Sequence, residues 1–146
     1  MRIAVGFDHA GVPLREAVLG ALGEAGHEVG ELGVEDDYPD IARTVCAAVL
    51  DGRAERGILV CGSGAGVSVA ACKIRGIRAT VAHDTYTGAQ CVSHDDCNVA
   101  CLGARVVGPA YAADIVRAFA GASFSGEERH VRRLGKVSDI EERGAP

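Results

Sequence analysis

The chain has no tryptophan and only three tyrosines, three phenylalanines and one methionine. Its core must therefore rest on Val, Ala, Leu and Ile. It holds six cysteines, at positions 46, 61, 72, 91, 97 and 101, yet no Cys-x-x-Cys. That spacing suits neither a disulfide framework nor a zinc site, and four of the six fall inside apparent helix or strand patterns. Cys97-x-x-x-Cys101 reads as a pair of small core residues. No basic stretch is interleaved with aromatics and the net charge is −5, which argues against a nucleic-acid partner. No apolar run approaches a membrane span, and Ile3-Ala4-Val5 after Met1-Arg2 is too short for a signal-peptide core. The expectation is a cytoplasmic protein with reduced thiols. There is no linker, repeat or low-complexity tract, and the 20 glycines are scattered without period. A chain of 146 residues on this pattern predicts one domain over 1–146.

What the chain does have is a thiol at a telling place. Gly57-Ile58-Leu59-Val60 is an apolar run that ends on Cys61, followed by Gly62-Ser63-Gly64-Ala65-Gly66-Val67-Ser68. A small-residue helix beginning around Gly66 follows. Backbone N–H groups in a glycine loop and at a helix start favour an anion, and the same field favours a thiolate. A base or nucleophile thus lies beside an oxyanion or phosphate cradle. A nucleotide P-loop would need Lys after its last glycine, where Val67 stands. A cysteine-phosphatase loop would need Arg at the same Val67. Gly62-x-Gly64-x-Gly66 also misses the dinucleotide fingerprint by one residue. The competing reading is a tight strand-to-helix turn with a structural buried Cys.

Short β-rich runs alternate with helical patterns. The pattern predicts strands near Ile3–Phe7, His27–Leu32, Gly57–Cys61, Arg78–Val81 and Val99–Leu102. It predicts helices near Val12–Ala25, Ile41–Asp51, Gly66–Lys73, Asp84–Ser93 and Ala110–Ala120. Pro109 suits a first helical turn. Strands as continuously apolar as Ile58-Leu59-Val60 belong to a parallel sheet covered on both faces, and the alternation implies right-handed βαβ units. The fold class is α/β, a three-layer sandwich around a five-stranded parallel sheet.

Ligands in such sheets bind beyond the carboxyl ends of the strands. Those ends carry Asp8-His9, then Cys61 to Gly66, then His83-Asp84. His94-Asp95-Asp96-Cys97-Asn98 reads as a polar loop before the fifth strand. Beyond Ser125, Glu127 to Leu134 reads as a polar helix whose Arg129 and Arg133 share one face. That face is either solvated or built to hold a phosphate.

Taken in order, seven segments carry a family resemblance. They are Gly6-Phe7-Asp8-His9-Ala10-Gly11, Asp37-Tyr38-Pro39-Asp40, Cys61 to Ser68, Lys73 through Gly76-Ile77-Arg78-Ala79, His94 to Asn98, Gly103-Ala104-Arg105-Val106-Val107-Gly108, and the tail around Arg129-His130. Over nearly its whole length the chain resembles the ribose-5-phosphate isomerase B family, which includes galactose- and allose-6-phosphate isomerases. The resemblance implies a Rossmann-like subunit without nucleotide, cofactor or metal. It implies a homodimer or homotetramer whose C-terminal helix reaches a neighbouring subunit, so that active sites are composite. It implies aldose–ketose isomerisation of a sugar phosphate through a cis-enediolate.

Residue by residue, the resemblance makes Cys61 the base, Ser63 the proton shuttle between O1 and O2, and His94 the ring-opening acid–base. Asp8 would bond sugar hydroxyls, with Ser68, Asp95 and Asn98 also at the substrate. The N–H groups of Gly62, Gly64 and Gly66 would hold the enediolate oxygen. His9, Arg129, His130 and Arg133 would hold the phosphate. A branch of the family places a Glu base where Val67 stands here, so this chain falls in the cysteine-base branch.

Two positions depart from the family pattern. Asp95 replaces a usual Asn, exchanging an amide that donates and accepts for a carboxylate that only accepts. Cys72 replaces the Asn that usually precedes Lys73. Both leave the isomerisation chemistry in place and bear on which sugar is used. Ribose 5-phosphate is the expected substrate, with erythrulose 4-phosphate, allose 6-phosphate, galactose 6-phosphate or a free sugar as alternatives. A local cap is the competing role for Asp95. A non-catalytic sugar-phosphate-binding subunit is the competing reading for the whole chain.

Overall fold

Glycine at two strand positions, Gly6 and Gly57, lets the sheet close against a helix. Five parallel strands are ordered β2-β1-β3-β5-β4: β1 Arg2–Asp8, β2 Glu28–Glu35, β3 Arg56–Cys61, β4 Ala79–Val81 and β5 Val99–Gly103. The computed structural model describes residues 1–144. The helices among them are α1 Arg15–Glu24 (entered through a 3-10 turn at Val12–Leu14), α2 Tyr38–Leu50, α3 Ala65–Ala71, α4 Thr85–Asp95, α5 Pro109–Gly121 and α6 Glu128–Arg143. Among the described residues no helix is long and apolar enough to cross a membrane.

Strand alternation splits the core in two. Ile3, Val5, Phe7, Ile58, Val60, Ala100 and Leu102 face a layer of α1, α4 and α5, where Val18, Leu22, Val92, Ile115 and Phe119 meet them. Ala4, Leu59, Cys61, Val99 and Cys101 face the opposite layer, where α2 and α3 supply Ile41, Val45, Val67 and Ala71. Each fully buried Val, Leu, Ile or Phe contributes roughly 1.5–3 kcal/mol. Gly6 brings α2 close, because a Cβ there would lie 2.5 Å from Ile41 Cγ1. At the far end of the sheet, Arg56 stands in for a glycine cap on α5. Its guanidinium donates to Phe119 O at 2.6 Å and Ala122 O at 2.7 Å, satisfying carbonyls that a helix end leaves open.

The central strands β1, β3 and β5 are buried on both faces, as expected of a covered parallel sheet. The edge strand β2 is not: much of it is exposed, and it runs three residues past the predicted end. Leu32 and Gly33 together oppose Gly6, a bulge that Gly33 accommodates with φ +106°. The stretch His94 to Asn98 also differs from expectation. Helix α4 continues through His94 and Asp95, and the chain reverses at Asp96 with φ +47°. Arg78 secures that left-handed turn, its Nε donating to Asp96 O and its Nη2 to Asp96 Oδ2, both at 2.7 Å.

The chain leaves β1 toward β2 on one side and toward β3 on the other, so the switch point lies between the carboxyl ends of β1 and β3. There a Cβ on Gly11 would lie 2.2 Å from Val60 O. Gly11→Ala is therefore expected to destabilise the fold by about 2–3 kcal/mol, in the range of overpacked sites. Gly20→Ala, in open space on α1, should stabilise it by about 0.5–1 kcal/mol. Paired thermal melts check both signs.

Candidate functional site

Asp8 closes β1 and turns its carboxylate back on its own loop. Oδ1 accepts the N–H groups of Ala10 and Gly11, each at 2.9 Å. Asp8 is buried, 6% exposed, so this bonding answers an otherwise uncompensated polar group. It also leaves Oδ2 for another donor. His9 follows and donates from Nδ1 to Asp36 O at 3.0 Å, which fixes the ring and leaves Nε2 outside that bond.

Cys61 closes β3 and is 4% exposed. The next residues turn sharply: Gly64 takes φ +78° and caps α3. Its N–H donates to Cys61 Sγ at 3.0 Å, and Ala65 N–H donates to Ser63 Oγ at 3.3 Å. The Gly64 N–H therefore serves the sulfur rather than standing open, a change from the cradle predicted over Gly62 to Gly66. The exit of β5 continues the pairing, with Ala104 N–H donating to Cys61 O at 2.8 Å and Arg105 N–H to Gly62 O at 3.0 Å.

These loops enclose a cleft of about 340 Å³, lined by Asp8, His9, Tyr38, Cys61, Gly62, Ser63, Gly66 and Arg105 among others. Six of these are predicted site residues. Tyr38 and Arg105 were missed. Tyr38 opens α2 and lays its ring against Gly66, where a Cβ would come within 3.2 Å. In the sequence it stands only within a segment that carries the family resemblance, with no role of its own. Arg105 lies two residues beyond β5, close to Gly62. Among the described residues it has no ion-pair partner. The strand-end rule that nominated Asp8 and Cys61 reaches Arg105 once it is applied to β5 as well.

The other predicted residues gather elsewhere. His94 and His130 stack with ring centroids 4.2 Å apart and planes 26° apart. Gln90 Nε2 donates to His94 Nδ1 at 2.9 Å, and His130 Nδ1 bonds Ser125 Oγ at 2.6 Å. His130 is 1% exposed. Burial lowers its pKa, and the neighbouring His94 and Arg129 lower it further. Asp95 and Arg133 line a separate groove of about 470 Å³ between α6 and the β4 edge. Arg129 pairs with Glu127 at 2.9 Å. Asn98 is spent on the backbone: Oδ1 accepts Arg78 N–H at 2.8 Å, and Nδ2 donates to Gly76 O at 2.9 Å. Ser68 does not line the Cys61 cleft. Within one chain, then, the thiol and the histidine–arginine cluster stay apart. All six cysteines are free.

Known proteins share this chain's sequence pattern and fold. A family model described as Ribose/Galactose Isomerase matches residues 3–137. Ribose-5-phosphate isomerase B of Escherichia coli is 41% identical, with 97% of each chain covered. D-Erythrulose-4-phosphate isomerase of Pectobacterium atrosepticum is 38% identical, with 86% of each covered. The structure of Clostridium thermocellum ribose-5-phosphate isomerase B superposes with a TM-score of 0.93 at 40% identity, covering 99% of this chain and all of that one. With a thiol, a serine and an aspartate at the switch point of a matching fold, the chain belongs to the ribose/galactose isomerase family and is an aldose–ketose isomerase.

Proposed function

We propose that the protein interconverts ribose 5-phosphate and ribulose 5-phosphate, with Cys61 as the carbon base. The observation that carries this reading is the shared cleft: Cys61, Ser63, Asp8 and His9 line one cavity large enough for a pentose phosphate. Cys61 as thiolate removes the proton from C2 of the open aldose, and the thiol returns it to C1. Ser63 moves a proton between O2 and O1, so no net charge accumulates on the product. Asp8 Oδ2 accepts from a sugar hydroxyl. Donors on the glycine loop and the nearby Arg105 cation stabilise the enediolate or the phosphate; losing one such donor costs about 3–4 kcal/mol of barrier.

The site is completed by a second copy of the chain. His94, His130, Arg129 and Arg133 bear the ring-opening and phosphate-holding roles, yet none lines the Cys61 cleft of its own chain. Helix α6, which carries three of them, also leaves Val131, Val137 and Ile140 more than half exposed. Exposed aliphatic groups beside cationic ones suit a helix that docks on a like subunit. Dimer and tetramer both satisfy this arrangement. A second substrate reading, erythrulose 4-phosphate, is favoured by Asp95, which puts a carboxylate where the family pattern has an amide, and by the similarity to the P. atrosepticum enzyme.

Cys61→Ala should lower kcat at least ~10³-fold while the melting curve and ligand binding persist, as for loss of a catalytic nucleophile or base; retained turnover overturns the base assignment. Mixing inactive Cys61→Ala with Arg133→Ala subunits should restore part of the activity, because some mixed sites carry neither substitution; no restoration means each site lies within one chain. The Asp95→Asn variant should raise kcat/KM for ribose 5-phosphate relative to erythrulose 4-phosphate, and an unchanged ratio leaves Asp95 with a local role only.

His130 sets an acid-side limit on stability. Its folded pKa is lowered by burial, so the folded state resists a proton that the unfolded chain takes near pH 6.5. The contribution is full above that pH and is lost as pH falls through the lower folded value. Melting temperature should drop between pH 7 and 5, and His130→Asn should flatten that slope in the same scan.

A further inference from the structure

His83 follows β4 by two residues, at the head of α4, and the chemistry proposed above does not use it. Its Nε2 accepts the Gly103 N–H at 3.0 Å. An accepting Nε2 carries no proton, so the neutral ring holds its hydrogen on Nδ1. Gly103 is the last residue of β5 and sits in register with Cys61. It also touches the cysteine loop directly: a Cβ on Gly103 would lie 2.5 Å from Ser63 C and 2.8 Å from Ser63 Cα. A Cβ on Gly64 would lie 3.3 Å from both Gly103 N and His83 Nε2. The imidazole, the Gly103 amide and the Ser63–Gly64 peptide therefore form one stack of contacts. At the front of that stack the Gly64 N–H points at Cys61 Sγ at 3.0 Å.

We propose that His83 is a positioning residue for isomerisation: its unprotonated Nε2 anchors Gly103, and Gly103 in turn sets the Ser63–Gly64 peptide that delivers an N–H to the Cys61 sulfur. This rests on the reading of Cys61 as the reacting base. The side chain suits the task because a neutral imidazole offers a fixed, rigid acceptor. An imidazolium would present a donor to a donor, and the anchor would fail. One titratable group bears on the ring: Asp84, the cap of α4, adjoins it and favours the cation. Burial outweighs Asp84 and lowers the His83 pKa, keeping the ring neutral at ordinary pH. The Asp84 carboxylate is engaged with the Thr87 N–H and hydroxyl, both at 2.7 Å.

The test compares His83→Gln, whose amide oxygen can replace the Nε2 acceptor, with His83→Leu, which cannot accept. On ribose 5-phosphate, His83→Leu should lower kcat by ~10- to 100-fold with KM within about 3-fold, the signature of misplaced reacting groups rather than lost binding. His83→Gln should recover most of that kcat. Alkylation of Cys61 by iodoacetamide, followed on its own peptide, should change in the Leu variant and return toward the parent rate in the Gln variant. Equal loss in both variants, or loss in neither, overturns the proposal. Ring-nitrogen NMR of the unmodified protein gives a further reading should His83→Leu not fold. A bare, hydrogen-bonded Nε2 whose titration moves the Gly103 amide supports the anchor, and a protonated Nε2 at neutral pH refutes it. If the parent turns over no sugar phosphate, the isomerase reading fails, while alkylation and NMR still decide the role of His83.

Discussion

Backbone meets backbone at the carboxyl ends of β1, β3 and β5. Gly11 rests on the carbonyl of Val60, and Gly103 rests on the peptide of Ser63. No side chain fits at either contact, so the loops that follow the three strands are held at van der Waals distance by the chain itself. Asp8, Cys61 and Arg105 then arrive at one cleft because each is within a few residues of such a contact. A site built this way owes its precision to the sheet more than to side-chain packing in the loops. Rigid supporting elements of this kind hold reacting groups better than free loops do.

The chemistry follows from what these contacts leave available. Asp8 spends one carboxylate oxygen on its own loop and keeps the other. His9 spends Nδ1 on Asp36 and keeps Nε2. Cys61 receives a backbone N–H from Gly64. Asp8 and His9 are each oriented through one atom and keep another outside that bond, whereas the Gly64 N–H meets the Cys61 side chain at its one polar atom, Sγ. The histidine stack and the arginines of α6 form a second constellation on a different part of the surface. Val131, Val137 and Ile140 of the same helix are left more than half exposed beside it.

Much of this was legible along the chain. The apolar run ending on Cys61, the mis-spaced glycines and the order of short motifs pointed to the fold class and the family, and the observed strands lie within a few residues of those predicted. The misses share a cause. Tyr38 gave no site signal because its partner, Gly66, is far away in sequence. Arg105 went unnominated because the strand-end rule was not carried to β5. His94 and Asp95 looked like loop, since nothing local reveals that Arg78 will hold a left-handed reversal at Asp96.

Periodicity and residue type by themselves determined the alternation of strands and helices, the burial of the central strands and the presence of a thiol on a glycine turn. These are local properties, encoded by neighbours within a few residues. Tertiary structure alone decided the strand order β2-β1-β3-β5-β4, and with it which loops share a cleft. It placed His83 behind the cysteine loop, spent Asn98 on the backbone of residues 76 and 78, and separated the histidine–arginine cluster from Cys61. Each of these depends on pairing between strands distant in sequence, and that pairing is fixed by burial of the whole sheet rather than by any segment of it.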